Sequence, residues 1–214
     1  MKSYEQLLLS NKAWAKERKE MNPDFFTNLA NEQRPRFLWI GCSDSRVPAN
    51  EITDTEPGEI FVHRNVANMV VHTDLNMLSV LQYAVEVLKV EHVMVVGHYG
   101  CGGVKASMNT TSLGLINKWL RNIKEVYRQH REDIDIIQDP DKRVDKLVEY
   151  NVIEQVYNLA KTSIIQKAWA KHNSPVVHGW VYGMDNGLIK ELVTMDHNDE
   201  LDPIFRYDFD DRDL

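Results

Sequence analysis

The stretch Phe37-Leu38-Trp39-Ile40-Gly41-Cys42-Ser43-Asp44-Ser45-Arg46 decides how this chain must fold. Phe37 to Ile40 is a short apolar run stopped by a glycine, the pattern of a buried strand arriving at a turn. The turn then presents a thiol, a carboxylate and a guanidinium at alternate positions: Cys42, Asp44 and Arg46. The same arrangement returns downstream. Val93-Met94-Val95-Val96 is apolar, Gly97 ends it, and His98-Tyr99-Gly100-Cys101-Gly102-Gly103 follows. The chain's two cysteines stand just past these two runs. In an open parallel sheet, ligands gather at the carboxyl ends of the strands. Two neighbouring strands of this kind would bring Cys42, Asp44, His98 and Cys101 to one place, a four-ligand zinc set.

Outward from these turns, strands alternate with helices. Residues 4 to 30 read as helical, anchored by Leu7, Leu8, Trp14 and Phe25 or Phe26, with Asn22-Pro23-Asp24 interrupting. So much apolar surface on an N-terminal arm calls for something to pack on, its own domain or a partner subunit. Ile60 to His63 reads as a second strand after the turn Glu56-Pro57-Gly58. Met77 to Val90 is apolar nearly all round and predicts a largely buried helix, capped by Thr73 or Asp74. Leu115 to His130 is amphipathic. Glu132 to Asp141 is an acidic connector whose isoleucines, Ile134, Ile136 and Ile137, are expected to pin it to the core. Asp145 to Lys171 predicts one long helix, with Val148, Val152, Val156, Leu159 and Ile164 along one face. Val176 to Tyr182 reads as a strand, and Asp185-Asn186-Gly187 as a tight turn returning Leu188 to Val193 antiparallel. The expected fold is α/β: a mainly parallel central sheet with one antiparallel edge strand, flanked by helices, with an N-terminal helical arm. A single domain is expected, with the arm at 1–34, the zinc-binding core at 35–194 and a C-terminal extension at 195–214.

Composition narrows the classes. The chain has 214 residues, 43% hydrophobic and 27% charged, as in ordinary globular proteins. No apolar run approaches the ~20 residues of a membrane span, and the N-terminus lacks the layout of a signal peptide. A reduced, cytoplasmic setting is therefore expected, in which two cysteines serve a metal rather than a disulfide. The net charge of −7, with no basic stripe to offset it, argues against nucleic acid. The acidic end, Asp208 to Asp213, reads as a solvated tail.

Each motif has a plainer reading. Either cysteine alone could be a buried structural thiol. The spacing His98-x-x-Cys101, and Cys42-x-Asp44 on one side of an extended segment, are harder to attribute to packing. Thiolate-rich coordination selects zinc over magnesium or calcium. A thiolate phosphatase is a poor alternative, because Arg46 follows Cys42 too closely to wrap a phosphate and Asp44 would repel one. The glycines at 97, 100, 102 and 103 lack the Lys-Ser/Thr of a phosphate loop. Asp44 and Arg46 could form a surface ion pair of little worth. Alternatively, Arg46 could draw Asp44 off the metal and open the fourth position. Trp39, Arg64 and Tyr182 are explicable as core aromatics and a surface cation. His72, beside a helix start, is a candidate proton carrier.

Together, Cys42-Ser43-Asp44-Ser45-Arg46, Phe61-Val62-His63-Arg64-Asn65-Val66-Ala67 and Gly97-His98-Tyr99-Gly100-Cys101-Gly102-Gly103 resemble the β-class carbonic anhydrases, over about Gln33 to Val193. Trp39-Ile40-Gly41, His72-Thr73-Asp74-Leu75-Asn76 and His178-Gly179-Trp180-Val181-Tyr182 are similar to the bacterial, bicarbonate-regulated (type II) branch. The resemblance implies zinc held by Cys42, His98 and Cys101, with Asp44 as fourth ligand in a closed state. It also implies an Asp44–Arg46 pair in an open state, where hydroxide formed at zinc attacks carbon dioxide. By the same resemblance Gln33, Phe61, Val66, Tyr83 and Gly102 line the substrate pocket, partly across a dimer interface. Trp39, Arg64 and Tyr182 would form a second, inhibitory bicarbonate site, and dimers would pair into tetramers. A sister hydrolase acting on carbon disulfide or carbonyl sulfide shares the zinc motif, and an inert, zinc-stabilised protein is the reading from a different class.

Overall fold

The computed structural model describes residues 3–210. The chain divides into two compact units after Arg34. In the first, α1 (Tyr4–Met21) starts at a capping box: Gln6 N–H donates to Ser3 Oγ and Ser3 N–H donates to Gln6 Oε1. Asn22-Pro23-Asp24 breaks the helix, as its composition requires, before α2 (Phe25–Asn31). Trp14 meets Phe25 and Phe26 edge-on, at centroid distances of 6.2 and 5.7 Å. Leu7, Leu8 and Leu9 remain exposed.

The second unit is built on a five-stranded sheet of order β2-β1-β3-β4-β5. The strands are β1 (Phe37–Cys42), β2 (Ile60–Asn65), β3 (His92–His98), β4 (Val176–Tyr182) and β5 (Ile189–Met195). All pairs are parallel except β4–β5, which is antiparallel. The continuous apolar runs of β1 and β3 follow from their central position. Leu38, Ile40, Val93 and Val95 are fully buried, each worth about 1.5–3 kcal/mol. The expected α/β fold with one antiparallel edge is the observed one.

Helices flank the sheet: α3 (Ala49–Ile52), α4 (Leu75–Gln82), α5 (Gly102–Ser107), α6 (Ile116–Gln129), α7 (Arg131–Asp135), α8 (Pro140–Ala160) and α9 (Ser163–His172). α8 packs on β3 and β4 through Val148, Val152 and Val156. Two glycines admit it: a Cβ on Gly97 would stand 2.6 Å from Val152 Cγ2, and one on Gly179 3.0 Å from Val152 Cγ1.

Three expectations are corrected. The long helix expected over Asp145 to Lys171 is two helices, because Thr162 Oγ1 accepts from Ile165 N–H and starts α9 afresh. The largely buried helix expected over Met77 to Val90 runs as α4 into a π-helical turn at Tyr83–Val87 and leaves Tyr83 and Val87 exposed. Of the connector isoleucines, Ile134 is buried but Ile136 is exposed. The last part of the expected acidic tail, from residue 211, lies outside the described residues.

Candidate metal centre and active site

β1 and β3 are parallel neighbours with Gly41 opposite Val96, so their ends release Cys42 and His98 side by side. The turn after β3 brings back Cys101, which caps α5. One ligand atom from each of Cys42, His98 and Cys101 falls within 4.8 Å of the others, and all three residues are buried. Among the described residues this is the group able to hold a metal.

The two sulfurs are 3.9 Å apart, far beyond the ~2.05 Å of a disulfide. Two thiolates on one tetrahedral zinc, each at ~2.3 Å, stand about 3.8 Å apart. His98 Nδ1–H donates to the Tyr99 carbonyl at 3.0 Å, which leaves Nε2 as the atom with the free lone pair. That Nε2 is buried and has no hydrogen-bond partner. An orphaned imidazole nitrogen facing two buried thiols is costly unless a cation belongs there. The hydrogen bond from Cys101 pushes the Cys42 thiol well below its ordinary range despite burial, with backbone amides of Asp44 and Ala67 helping. The same contact and burial push Cys101 up. Soft, sulfur-rich donors of this kind suit zinc.

Asp44 lies at the rim, with Oδ2 3.7 Å from His98 Nε2. It is turned toward Arg46, whose Nε donates to Oδ1 at 2.9 Å and Nη2 to Oδ2 at 2.7 Å. The Arg46 backbone N–H adds a third bond at 3.0 Å. This fork holds the Asp44 carboxyl far below the usual carboxylate range. Arg64 donates from Nε to the Cys42 carbonyl at 2.8 Å and from Nη2 to the Asp44 carbonyl, so it braces the turn.

The other expected residues fall as follows. Phe61 and Tyr83 meet, with ring centroids 5.8 Å apart. Val66 is half-buried beside Gly103, where a Cβ would come within 2.8 Å of Val66 Cγ1. Gly102 opens to free space, and Gln33 belongs to the N-terminal unit and is exposed. Trp39 is fully buried among Val47, Met94 and Val96, with Trp180 and Tyr182 at its edge. Its Nε1 has no hydrogen-bond partner. Strand alternation puts Trp39, Arg64 and Tyr182 on one face of the sheet. His72 donates from Nε2 to the Asn158 carbonyl at 2.8 Å.

Sequence reasoning missed a polar ladder on α8. Asn151 Nδ2 donates to the Ala67 carbonyl at 3.1 Å, Val70 N–H donates to Gln155 Oε1 at 2.8 Å, and Asn158 Nδ2 donates to the Val70 carbonyl at 3.3 Å. These bonds hold the loop after β2, where Ala67 and Asn68 take positive φ of 65° and 47°. The spacing 151, 155, 158 is a helical one and was the available signal. A cavity of about 840 Å³ between Val71–Asp74 and the start of α6 contains none of the metal-site groups, so concavity alone does not mark the site.

The family model for carbonic anhydrase matches residues 37–189. A carbonic anhydrase of Emericella nidulans is 49% identical over 190 residues, covering 89% of this chain and 83% of that protein. Among solved structures, tetrameric β-carbonic anhydrases of Sordaria macrospora are represented at a TM-score of 0.87 and 40% identity, covering 90% of this chain and 98% of that one. A Coccomyxa β-carbonic anhydrase in complex with acetazolamide follows at a TM-score of 0.86 and 38% identity, covering 91% and 89%. Sequence and fold agree over the same span, which contains the whole Cys-His-Cys group: this chain belongs to the β-carbonic anhydrase family.

Proposed function

We propose that this chain hydrates carbon dioxide reversibly to bicarbonate and a proton, with zinc held by Cys42, His98 and Cys101. The observation that carries this reading is the unpartnered, buried His98 Nε2 facing two thiols, beside a carboxylate that is drawn away onto Arg46. When bound, zinc supplies Lewis acidity that brings the ionisation of water to near-neutral pH. Asp44, kept ionised by Arg46, is an acceptor only. It can therefore orient a hydroxylic oxygen beside the metal ligands by accepting its proton in a hydrogen bond. Val66, Phe61 and Tyr83 offer apolar walls to an uncharged substrate, and Gly102 leaves an opening.

Asp44 is also the candidate fourth ligand of a closed arrangement, in which it gives up the Arg46 fork. Asp44 and Arg46 together would then form the gate. A second bicarbonate site at Trp39, Arg64 and Tyr182 would favour that closed arrangement. Its support is the orphaned Trp39 Nε1, a ready donor, on the same sheet face as a guanidinium and a phenol. The regulated branch rests on these three residues; placement among bacterial enzymes finds no support in the relatives named above. A second copy of the chain is the proposed partner, as a dimer and a tetramer.

The test is stopped-flow carbon dioxide hydration by zinc-replete protein from about pH 7 to pH 9, around the ~7 of zinc-activated water. Activity nearly absent at the low end and rising steeply is expected. Activity flat across the range would keep the enzyme and discard the gate. No activity with zinc bound would move the reading to hydrolysis of carbon disulfide or carbonyl sulfide, or to an inert zinc site.

A further inference from the structure

The turn that carries His98 is open at Gly100, although Tyr99 packs against the core. Gly100 has φ +66° and nothing lies within 4 Å of where its Cβ would be. Hydrogen bonds from two elements, β4 and α8, hold it. Tyr99 N–H donates to the Tyr182 carbonyl at the end of β4, at 3.1 Å. Gly100 N–H donates to Asp145 Oδ1 at 3.1 Å. The Tyr99 hydroxyl donates to Glu149 Oε1 at 2.7 Å. The Tyr99 carbonyl, in the same peptide unit as Gly100 N–H, is the acceptor for His98 Nδ1–H. Asp145 and Glu149 are four residues apart and share one face of α8.

Glu149 is no ordinary surface acid. Its side chain is only 16% exposed. Besides Tyr99 it receives Lys190 Nζ from β5 at 2.8 Å and Lys146 Nζ at 3.4 Å. The two lysines balance its charge, so Glu149 does not depend on the neutral phenol for compensation; the contact also fixes the position of Tyr99.

We infer that Glu149 is a positioning residue for the metal centre: through the Tyr99 hydroxyl it fixes the peptide whose carbonyl sets the tautomer and ring angle of His98. This rests on the reading of His98 as a metal ligand. Nε2 presents a lone pair only while Nδ1–H stays on that carbonyl. A glycine in the left-handed region follows directly, so the peptide can swing at little backbone cost once its side-chain anchor is gone. Asp145 holds the amide side of the same peptide, and Glu149 holds the residue that contributes the carbonyl.

The experiment measures zinc release to a chromogenic chelator from the intact protein and from Tyr99→Phe, Glu149→Ala and Glu149→Gln. Tyr99→Phe and Glu149→Ala are expected to release zinc about tenfold faster, the low end of the ~10–100-fold typical of groups behind a metal ligand. Glu149→Gln keeps an oxygen that can accept from the phenol and is expected to release zinc near the wild-type rate. With cobalt in place of zinc, the visible absorption of the first two should shift and that of Glu149→Gln should not. Tyr99→Phe removes a single oxygen and remains readable if Glu149→Ala fails to fold. Wild-type release rates in Tyr99→Phe would overturn the inference while leaving the metal site standing. Equal acceleration in Glu149→Gln and Glu149→Ala would also overturn it, because charge rather than the phenol contact would then matter. A wild-type chain that takes up no zinc would overturn the metal-site reading itself.

Discussion

Asp44 accepts three hydrogen bonds from a single residue, two of them from the guanidinium of Arg46 and one from its backbone amide. Arg46 is itself 61% exposed, whereas the carboxylate is 18% exposed. An exposed ion pair stabilises the fold little, so its value here is in where it points Asp44. Arg46→Gln is expected to leave zinc bound and to lower carbon dioxide hydration at least about tenfold, ~1.4 kcal/mol of barrier. An unchanged rate with zinc retained would remove Arg46 from the gate. Trp39 is the second residue whose chemistry exceeds its packing. A buried indole N–H without an acceptor costs about 1–3 kcal/mol; Phe removes that cost but is smaller and leaves a void that offsets the gain. Trp39→Phe is expected to change stability little while weakening inhibition by bicarbonate. Unchanged inhibition would dismiss the second bicarbonate site.

Between elements, β3 and β4 are tied by a cross-strand pair of imidazoles. His92 Nδ1 and His178 Nε2 are 3.0 Å apart, and Phe37 of β1 stacks on His92. Beyond them, Thr194 Oγ1 lies 3.4 Å and Glu191 Oε2 3.6 Å from His178 Nδ1. Burial first, and the neighbouring His92 charge second, hold the His178 pKa below its ordinary 6.5, against the pull of Glu191. In the unfolded chain His178 takes up its proton near ~6.5, while in the fold it stays neutral to lower pH. The unfolded state therefore binds more protons in that window, and stability falls as pH drops below about 6.5. His63, pushed down by burial, acts in the same direction. The midpoint of urea unfolding should fall from pH 7.5 to about pH 5.5, and His178→Gln should flatten part of that slope. An identical slope in wild type and variant would show that His178 does not contribute to it.

At the scale of the whole molecule, α1 has no buried residue, and Leu7, Leu8 and Leu9 are 58%, 63% and 64% exposed. Contiguous exposed apolar side chains mark surfaces that pack on a partner or a membrane, and the proposed dimer and tetramer give these leucines a partner. Analytical ultracentrifugation is expected to give two or four times the 24.9 kDa chain mass, and Leu7→Glu with Leu8→Glu to give a smaller species. A monomer for the wild type would refute the assembly. What the sequence by itself determined was the order of strands and helices, the antiparallel edge at Asp185-Asn186-Gly187, and the two glycine-ended runs that place Cys42, Asp44, His98 and Cys101. These are local signals, readable from apolar period, turn chemistry and spacing. Only the tertiary structure decided that Thr162 splits the long helix, and that Asn151, Gln155 and Asn158 hold the loop at Ala67. It alone showed that Glu149 reaches the His98 turn through Tyr99, that Arg64 braces the Cys42 turn, and that Trp39 Nε1 is unpaired. The bonds among these join residues 20 or more positions apart, the helix split depends on a cap competing with helical continuation, and the unpaired indole depends on what burial leaves around it. Hydrogen bonds of that kind exist only once packing has set the geometry, so no window of sequence contains them.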